Sequence, residues 1–178
     1  KFAAGPRKEL GIKTIFNILG PLTNPANANY QIIGVYNPSV GKLIAEVLKI
    51  LGSTRAMIVH SDDGIDEISL WGKTTIWELK NNEINNYEIT HQDFGLNQIN
   101  LNQLKINSPL ESVKIIQSIL SGDKSAARDV ALANAAAGLL ITGKVDNLIE
   151  GVQLAEQSID SGNALNNLNN LIQISNNL

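Results

Sequence analysis

The stretch Tyr30–His60, YQIIGVYNPSVGKLIAEVLKILGSTRAMIVH, decides the fold. Its first part, Tyr30–Tyr36 (YQIIGVY), is a short β-branched and aromatic run that reads as a buried strand. Ser39 is placed to cap the next element, in which Val40, Leu43, Ile44, Val47, Leu48 and Leu51 recur at the i, i+3, i+4, i+7 spacing of an amphipathic helix before Gly52 ends it. Ala56–His60 (AMIVH) reads as a second buried strand. Strand, helix and strand in that order form a crossover unit, which requires the two strands to be parallel. The fold class follows: α/β, with a central mixed, partly parallel sheet flanked by helices.

Downstream, Thr74–Leu79 and Asn82–Ile89 alternate polar and apolar residues around Lys80–Asn82, as an antiparallel edge hairpin does. Gln92–Ile106 shows no sustained period. Ser108-Pro109-Leu110-Glu111 joins a capping box to a proline at the first helical position, and the helix it opens is expected to bury Leu110, Val113, Ile116, Ile119 and Leu120 before Gly122. The alanine-rich Ser125–Thr142 permits close helix approach, and Lys144–Ser161 and Ala164–Ser175 complete a helical C-terminal half. The asparagine-rich end keeps Leu165, Leu168, Leu171 and Ile172 in a helical pattern with a frayed terminus. Upstream, Lys8–Leu19 suggests short helical turns, stopped by Gly20-Pro21.

Composition excludes several classes. With 178 residues, 43% of them hydrophobic and 17% charged, the chain is large enough for a real core. A formal charge of -3 with scattered lysines and arginines makes nucleic acid a poor partner. No cysteine is present, so disulfides and thiolate metal sites are excluded, which fits a reducing cytoplasm. No apolar run approaches the roughly 18 residues that span a bilayer, and the expected location is cytoplasmic. The chain opens on Lys1 and runs at once into a patterned segment, which reads as a fragment of something longer.

Several motifs taken together resemble one family. KFAAGPRKELGIKTIFNILGPLTNPA (Lys1–Ala26), GIDEIS, ITHQDFGL, NAAAGLLITGK and EGVQLAEQSIDSG follow one another as in the C-terminal half of the anthranilate phosphoribosyltransferases, which share the nucleoside phosphorylase and phosphoribosyltransferase fold. The resemblance covers nearly the whole chain. It implies that residues 1–178 are the C-terminal part of an α/β catalytic domain, with residues 8–20 a helical insertion packing on a helical domain supplied upstream. It also implies transfer of the phosphoribosyl group of phosphoribosyl pyrophosphate to anthranilate, the second step of the tryptophan branch, with Mg2+ as cofactor. This half would be inactive alone, the missing N-terminal half its partner, and the intact enzyme a homodimer.

Residue roles carry over by the same resemblance. Arg7, in GPRKELG, is the arginine that orients anthranilate, and its planar fork suits a carboxylate. Gly20 and Pro21 would wall the aromatic ring, glycine by permitting close approach and proline by its flat face. Asn17 and Asn24 are expected to tie down that loop. Asp66 and Glu67 are the magnesium carboxylates, in the loop after the second strand, where ligands of open α/β sheets bind. An acidic pair in a loop is otherwise ordinarily solvated, and Asp62 and Asp63 are weaker candidates. The resemblance further implies that Arg7 faces a cleft bordered by Gly20 and Pro21, with Asp66 and Glu67 across it.

Other signals are discounted. The acidic loop lacks the calcium-loop spacing. Asp93-Phe94-Gly95 copies a kinase triplet without the rest of the kinase set. His60, at the end of an apolar strand, reads as a packed histidine with a satisfied ring. A pyrimidine nucleoside phosphorylase-like enzyme and a non-catalytic, nucleic-acid-binding relative of the fold are the competing readings; PRKELG with GPLTNPA argues against the first and the acidic charge against the second.

Overall fold

The computed structural model describes residues 16–26, 28–62 and 64–177. Arg7, Asp63 and most of the 8–20 segment lie outside the described residues. After a first helix, α1 (Phe16–Leu22), come strand β1 (Tyr30–Gly34), helix α2 (Gly41–Ile50), strand β2 (Arg55–Ser61) and the hairpin of β3 (Thr74–Lys80) and β4 (Glu83–Ile89). Helices α3 (Pro109–Leu120), α4 (Ala126–Ile141), α5 (Leu148–Asp160) and α6 (Asn163–Asn176) follow. Among the described residues the four strands form one sheet in the order β1-β2-β3-β4.

The crossover is as expected. β1 and β2 pair in parallel, with Ile32 opposite Met57, and β2, β3 and β4 pair antiparallel. In β2 both faces are buried, so its alternation is masked by a continuous apolar run. Ala56 and Ile58 face α2 through Ile44, Ala45 and Leu48, whereas Met57 and Val59 join Ile68, Leu70, Phe94 and the alanines of α4. Two helix contacts depend on glycine: a Cβ on Gly41 would lie 2.3 Å from the Trp77 ring, and one on Gly151 would lie 2.8 Å from Ala136. The first seats α2 on the sheet and the second lets α5 touch α4.

The hairpin turns through Asn81 and Asn82, with φ of 52° and 63°, the left-handed pair that a two-residue turn requires and that asparagine tolerates. Asn82 therefore belongs to the turn, not to the strand. An ion-paired group then locks the hairpin to the helical layer. Arg55 Nε and Nη2 donate to Glu78 Oε1 at 2.8 and 2.7 Å, Arg55 Nη1 donates to the Leu140 carbonyl at 2.6 Å, and the Tyr87 hydroxyl donates to Glu78 Oε2 at 3.0 Å. Burial, reinforced by the Glu78 carboxylate, pushes the Tyr87 phenol far above its ordinary value, so it stays a donor.

Four expectations are corrected. Ser39 does not cap α2: Asn37 Oδ1 accepts from Ser39 N at 3.0 Å and caps a short 3-10 turn, Pro38–Val40, from which α2 continues without a side-chain cap. Strand β1 stops at Gly34 instead of Tyr36, because the chain turns toward that asparagine. Gly20-Pro21 does not stop α1, which runs to Leu22; a proline near the end forfeits one backbone bond while its fixed φ remains helical. Finally, α3 buries Ile119 but leaves Leu110, Val113 and Ile116 at 66, 48 and 47% exposure. Periodicity identifies an apolar face, not what covers it.

Side-chain caps open α3, α4 and α5. Ser108 Oγ accepts from Glu111 N and Ser125 Oγ from Arg128 N, both at 3.2 Å. Asn147 Oδ1 accepts from Glu150 N at 2.9 Å, so α5 begins at Leu148, later than its sequence pattern. No helix among the described residues is long and apolar enough to cross a membrane.

Candidate functional site

β1 and β2 end side by side, with Gly34 opposite Val59. Val35 N donates to the Val59 carbonyl at 2.9 Å, and His60 Nδ1 lies 2.8 Å from the Val35 carbonyl oxygen. A carbonyl can only accept, so that nitrogen carries the proton. His60 is 9% exposed, the packed and satisfied histidine its sequence position suggested.

Beyond Ser61 the chain forms the acidic loop and folds back on itself. Gly64 N donates to the Ser61 carbonyl at 2.8 Å, Ser61 N to the Ile65 carbonyl at 3.1 Å, and Gly64 holds φ at +84°, which a side chain would disfavour. Asp66 then crosses the end of β1: a Cβ on Gly34 would lie 1.7 Å from the Asp66 carbonyl oxygen. Ile68, Ser69 and Leu70 plunge into the core directly after, so Asp66 and Glu67 are exposed residues on a loop anchored at both ends.

The chemistry of this donor set fits magnesium. Two adjacent exposed carboxylates stand at the carboxyl ends of parallel strands, and neither forms an ion pair among the described residues. Lys73, whose backbone carbonyl accepts from Asp62 N, commits its ammonium to Glu88 at 2.8 Å, and that hydrogen bond raises its pKa. Among the described residues no three His, Cys, Asp or Glu side chains converge into a cage. Magnesium is typically held by one or two carboxylates, waters and substrate phosphates, which is the kind of site this loop can supply.

The residues expected to wall an aromatic ring stand elsewhere. Pro21 and Leu22 line a cleft of about 180 Å³ with Ala28, Gln31, Leu48 and Leu51, at the amino end of β1 and the C-terminus of α2. Asp66 lies at the opposite end of the same strand, three residues or about 10 Å beyond Gln31. Gly20 is exposed, with nothing near its Cβ position. The described residues thus bring Asp66 and Glu67 together, but do not join them to Gly20 and Pro21 in one cleft. Asn24 does tie down its loop, its Oδ1 accepting from Ala26 N at 3.0 Å.

The kinase-like triplet is structural: Asp93 Oδ2 accepts from Thr90 N at 2.7 Å, Phe94 is in the core, and Gly95 has φ of 66°. The residue that sequence reasoning missed is Gly34. A glycine inside a β-branched run signals a close backbone approach, and here the approaching backbone is that of Asp66.

Comparison with known proteins gives one consistent picture. The model of the glycosyl transferase family, a/b domain, matches residues 1–165. The anthranilate phosphoribosyltransferase of Petrotoga mobilis is 47% identical over 176 residues, 99% of this chain and 51% of that protein. Two structures of the Saccharomyces cerevisiae anthranilate phosphoribosyltransferase superpose on 97% of this chain and 50% of theirs. The complex with 4-fluoroanthranilate has a TM-score of 0.89 at 33% identity, and the complex with PRPP and Mg a TM-score of 0.88 at 34%. The chain spans about half the length of the curated relatives it matches.

Proposed function

We propose that this chain, which belongs to the glycosyl transferase family, a/b domain, is the C-terminal half of an enzyme that transfers a phosphoribosyl group from phosphoribosyl pyrophosphate to anthranilate, giving N-(5-phosphoribosyl)anthranilate and pyrophosphate. The observation that carries the reading is the likeness of nearly the entire chain to anthranilate phosphoribosyltransferases, in sequence and in backbone.

In this reaction the ribose C1–O bond to pyrophosphate breaks, the anthranilate nitrogen forms a bond to C1, and that nitrogen loses a proton. Positive charge develops on the ribose and negative charge on the departing diphosphate, so positioning and electrostatics do most of the work. Bound magnesium would neutralise the diphosphate as it leaves. Asp66 and Glu67 hold that metal, and Arg7 orients the acceptor by a paired hydrogen bond to its carboxylate. Gly20 and Pro21 wall the aromatic ring. For that role their segment has to approach the acidic loop when the other half of the enzyme assembles. A homodimer and a cytoplasmic setting belong to the same reading.

The test is kinetic. The chain mixed with the N-terminal half of the Petrotoga mobilis relative, or fused to it, consumes anthranilate in the presence of PRPP and Mg2+. Arg7→Ala then raises the KM for anthranilate while leaving that for PRPP near its original value. An equal effect on both substrates contradicts the role given to Arg7.

A further inference from the structure

We infer that His60 is a positioning residue for the acidic loop, holding the end of β1 against which the Asp66 backbone rests. The inference depends on the reading of Asp66 and Glu67 as magnesium carboxylates and adds a residue to that site.

The end of β1 is gripped twice by β2. Val35 N donates to the Val59 carbonyl, and the Val35 carbonyl accepts from His60 Nδ1. The neighbouring Gly34 offers its empty Cβ position to the Asp66 carbonyl oxygen. Any shift of Gly34-Val35 is therefore transmitted to the Asp66 backbone without an intervening side chain. The other anchors of the loop, Ser61 N to Ile65 O and Gly64 N to Ser61 O, converge on the residue after His60. His60 is itself fixed, buried on β2 and opposite Thr75 on β3. The ring thus joins the strand end that supports the loop to the strand from which the loop departs. Its donor geometry matters more than its volume, because the carbonyl it satisfies is at the support point.

The experiment measures Mn2+ alone, by electron paramagnetic resonance of the free ion, on this chain and its variants, at a temperature at which circular dichroism shows each to be folded. Manganese shares the preference for oxygen ligands. His60→Asn keeps an N–H near the place of Nδ1 and is expected to bind within about twofold of the parent, whereas His60→Leu and His60→Gln, which lose or displace that donor, should bind about tenfold more weakly, as residues that orient metal ligands generally do. Equal affinity in Leu, Gln and parent overturns the inference, as does equal loss in Asn and Leu. Should His60→Leu not fold, the Asn and Gln pair carries the same comparison. Asp66→Asn separates the two readings. If it abolishes Mn2+ binding while the His60 variants do not weaken it, only the role of His60 fails. If it leaves binding unchanged, the carboxylate reading fails and takes this inference with it.

Discussion

Gly34 and Asp66 meet where the first strand ends, and the contact is so close that a single methyl group on residue 34 would overlap the carbonyl oxygen of residue 66, 1.7 Å away. The backbone of a proposed metal-binding loop therefore rests on the sheet with no side chain between them.

Replacing that glycine tests the contact. Gly34→Ala introduces a Cβ into space held by backbone, and overpacking of this kind costs about 1–3 kcal/mol. Urea unfolding should show that loss. Mn2+ affinity should fall in the folded variant, because relief of the clash moves Asp66 outward.

The carboxylates themselves should matter for function and little for stability. Asp66 and Glu67 are exposed, and substitutions at such positions usually change stability by less than about 0.5 kcal/mol. Asp66→Asn and Glu67→Gln should leave the melting temperature almost unchanged while lowering the activity of the assembled enzyme, an effect that excess Mg2+ partly restores.

The Arg55, Glu78 and Tyr87 group should behave in the opposite way. With side-chain exposure of only 14 and 11%, Arg55 and Glu78 form a nearly buried pair. Glu78→Gln leaves the guanidinium without its counter-charge, at a cost of about 3–5 kcal/mol. Tyr87→Phe removes one hydrogen bond, about 1 kcal/mol. Denaturant unfolding should rank them in that order.

Acid should weaken the contact between α4 and α5. The hydrogen bond from the fully buried Arg128, 2.7 Å from Asp160 Oδ1, holds the Asp160 pKa below its ordinary 3.8. The folded state then binds that proton less readily than the unfolded state, so the stabilisation is complete above pH 3.8 and is lost as pH falls through the depressed value. Asp129 has the opposite sign: burial raises its pKa, so its contribution is present at low pH and lost as pH rises through the folded value. Asp160→Asn should destabilise at pH 7 and converge with the parent in acid, whereas Asp129→Asn should not destabilise at pH 7. Melting curves from pH 2 to 7 would separate the two.

The segment around Gly20 should move on assembly. Spin labels at residues 20 and 66 should lie closer once the N-terminal half and anthranilate are added than in the chain alone. An unchanged distance would remove Gly20 and Pro21 from the aromatic wall.

Much of this was legible in the sequence, for identifiable reasons. Tyr30–His60 gave the parallel crossover because strand, helix and strand periods are each set by local burial, and its two strands pair as read. The antiparallel hairpin and the cap at Ser108 were read from local chemistry. The errors lie where a decision is made at longer range. Asn37 caps a 3-10 turn that precedes α2 and leaves α2 without a side-chain cap, because of how the chain leaves β1. The exposure of Leu110, Val113 and Ile116 depends on what packs against α3, which no periodicity records. At the site, the place of the carboxylate pair after a strand could be read, and the resemblance supplied the role proposed for it. The partnership of Gly34 with Asp66, and of His60 with Val35, joins residues more than twenty positions apart and becomes visible only when the strands are side by side.

The most direct test of the account is stoichiometric. In the chain assembled with the N-terminal half of a relative, anthranilate loss, followed by its fluorescence, and pyrophosphate release should be measured together, with PRPP and Mg2+ supplied. One pyrophosphate released per anthranilate consumed, with both signals lowered together in Asp66→Asn, is the predicted result. An assembled enzyme that releases no pyrophosphate, or releases it at the same rate without anthranilate, would contradict the transferase reading.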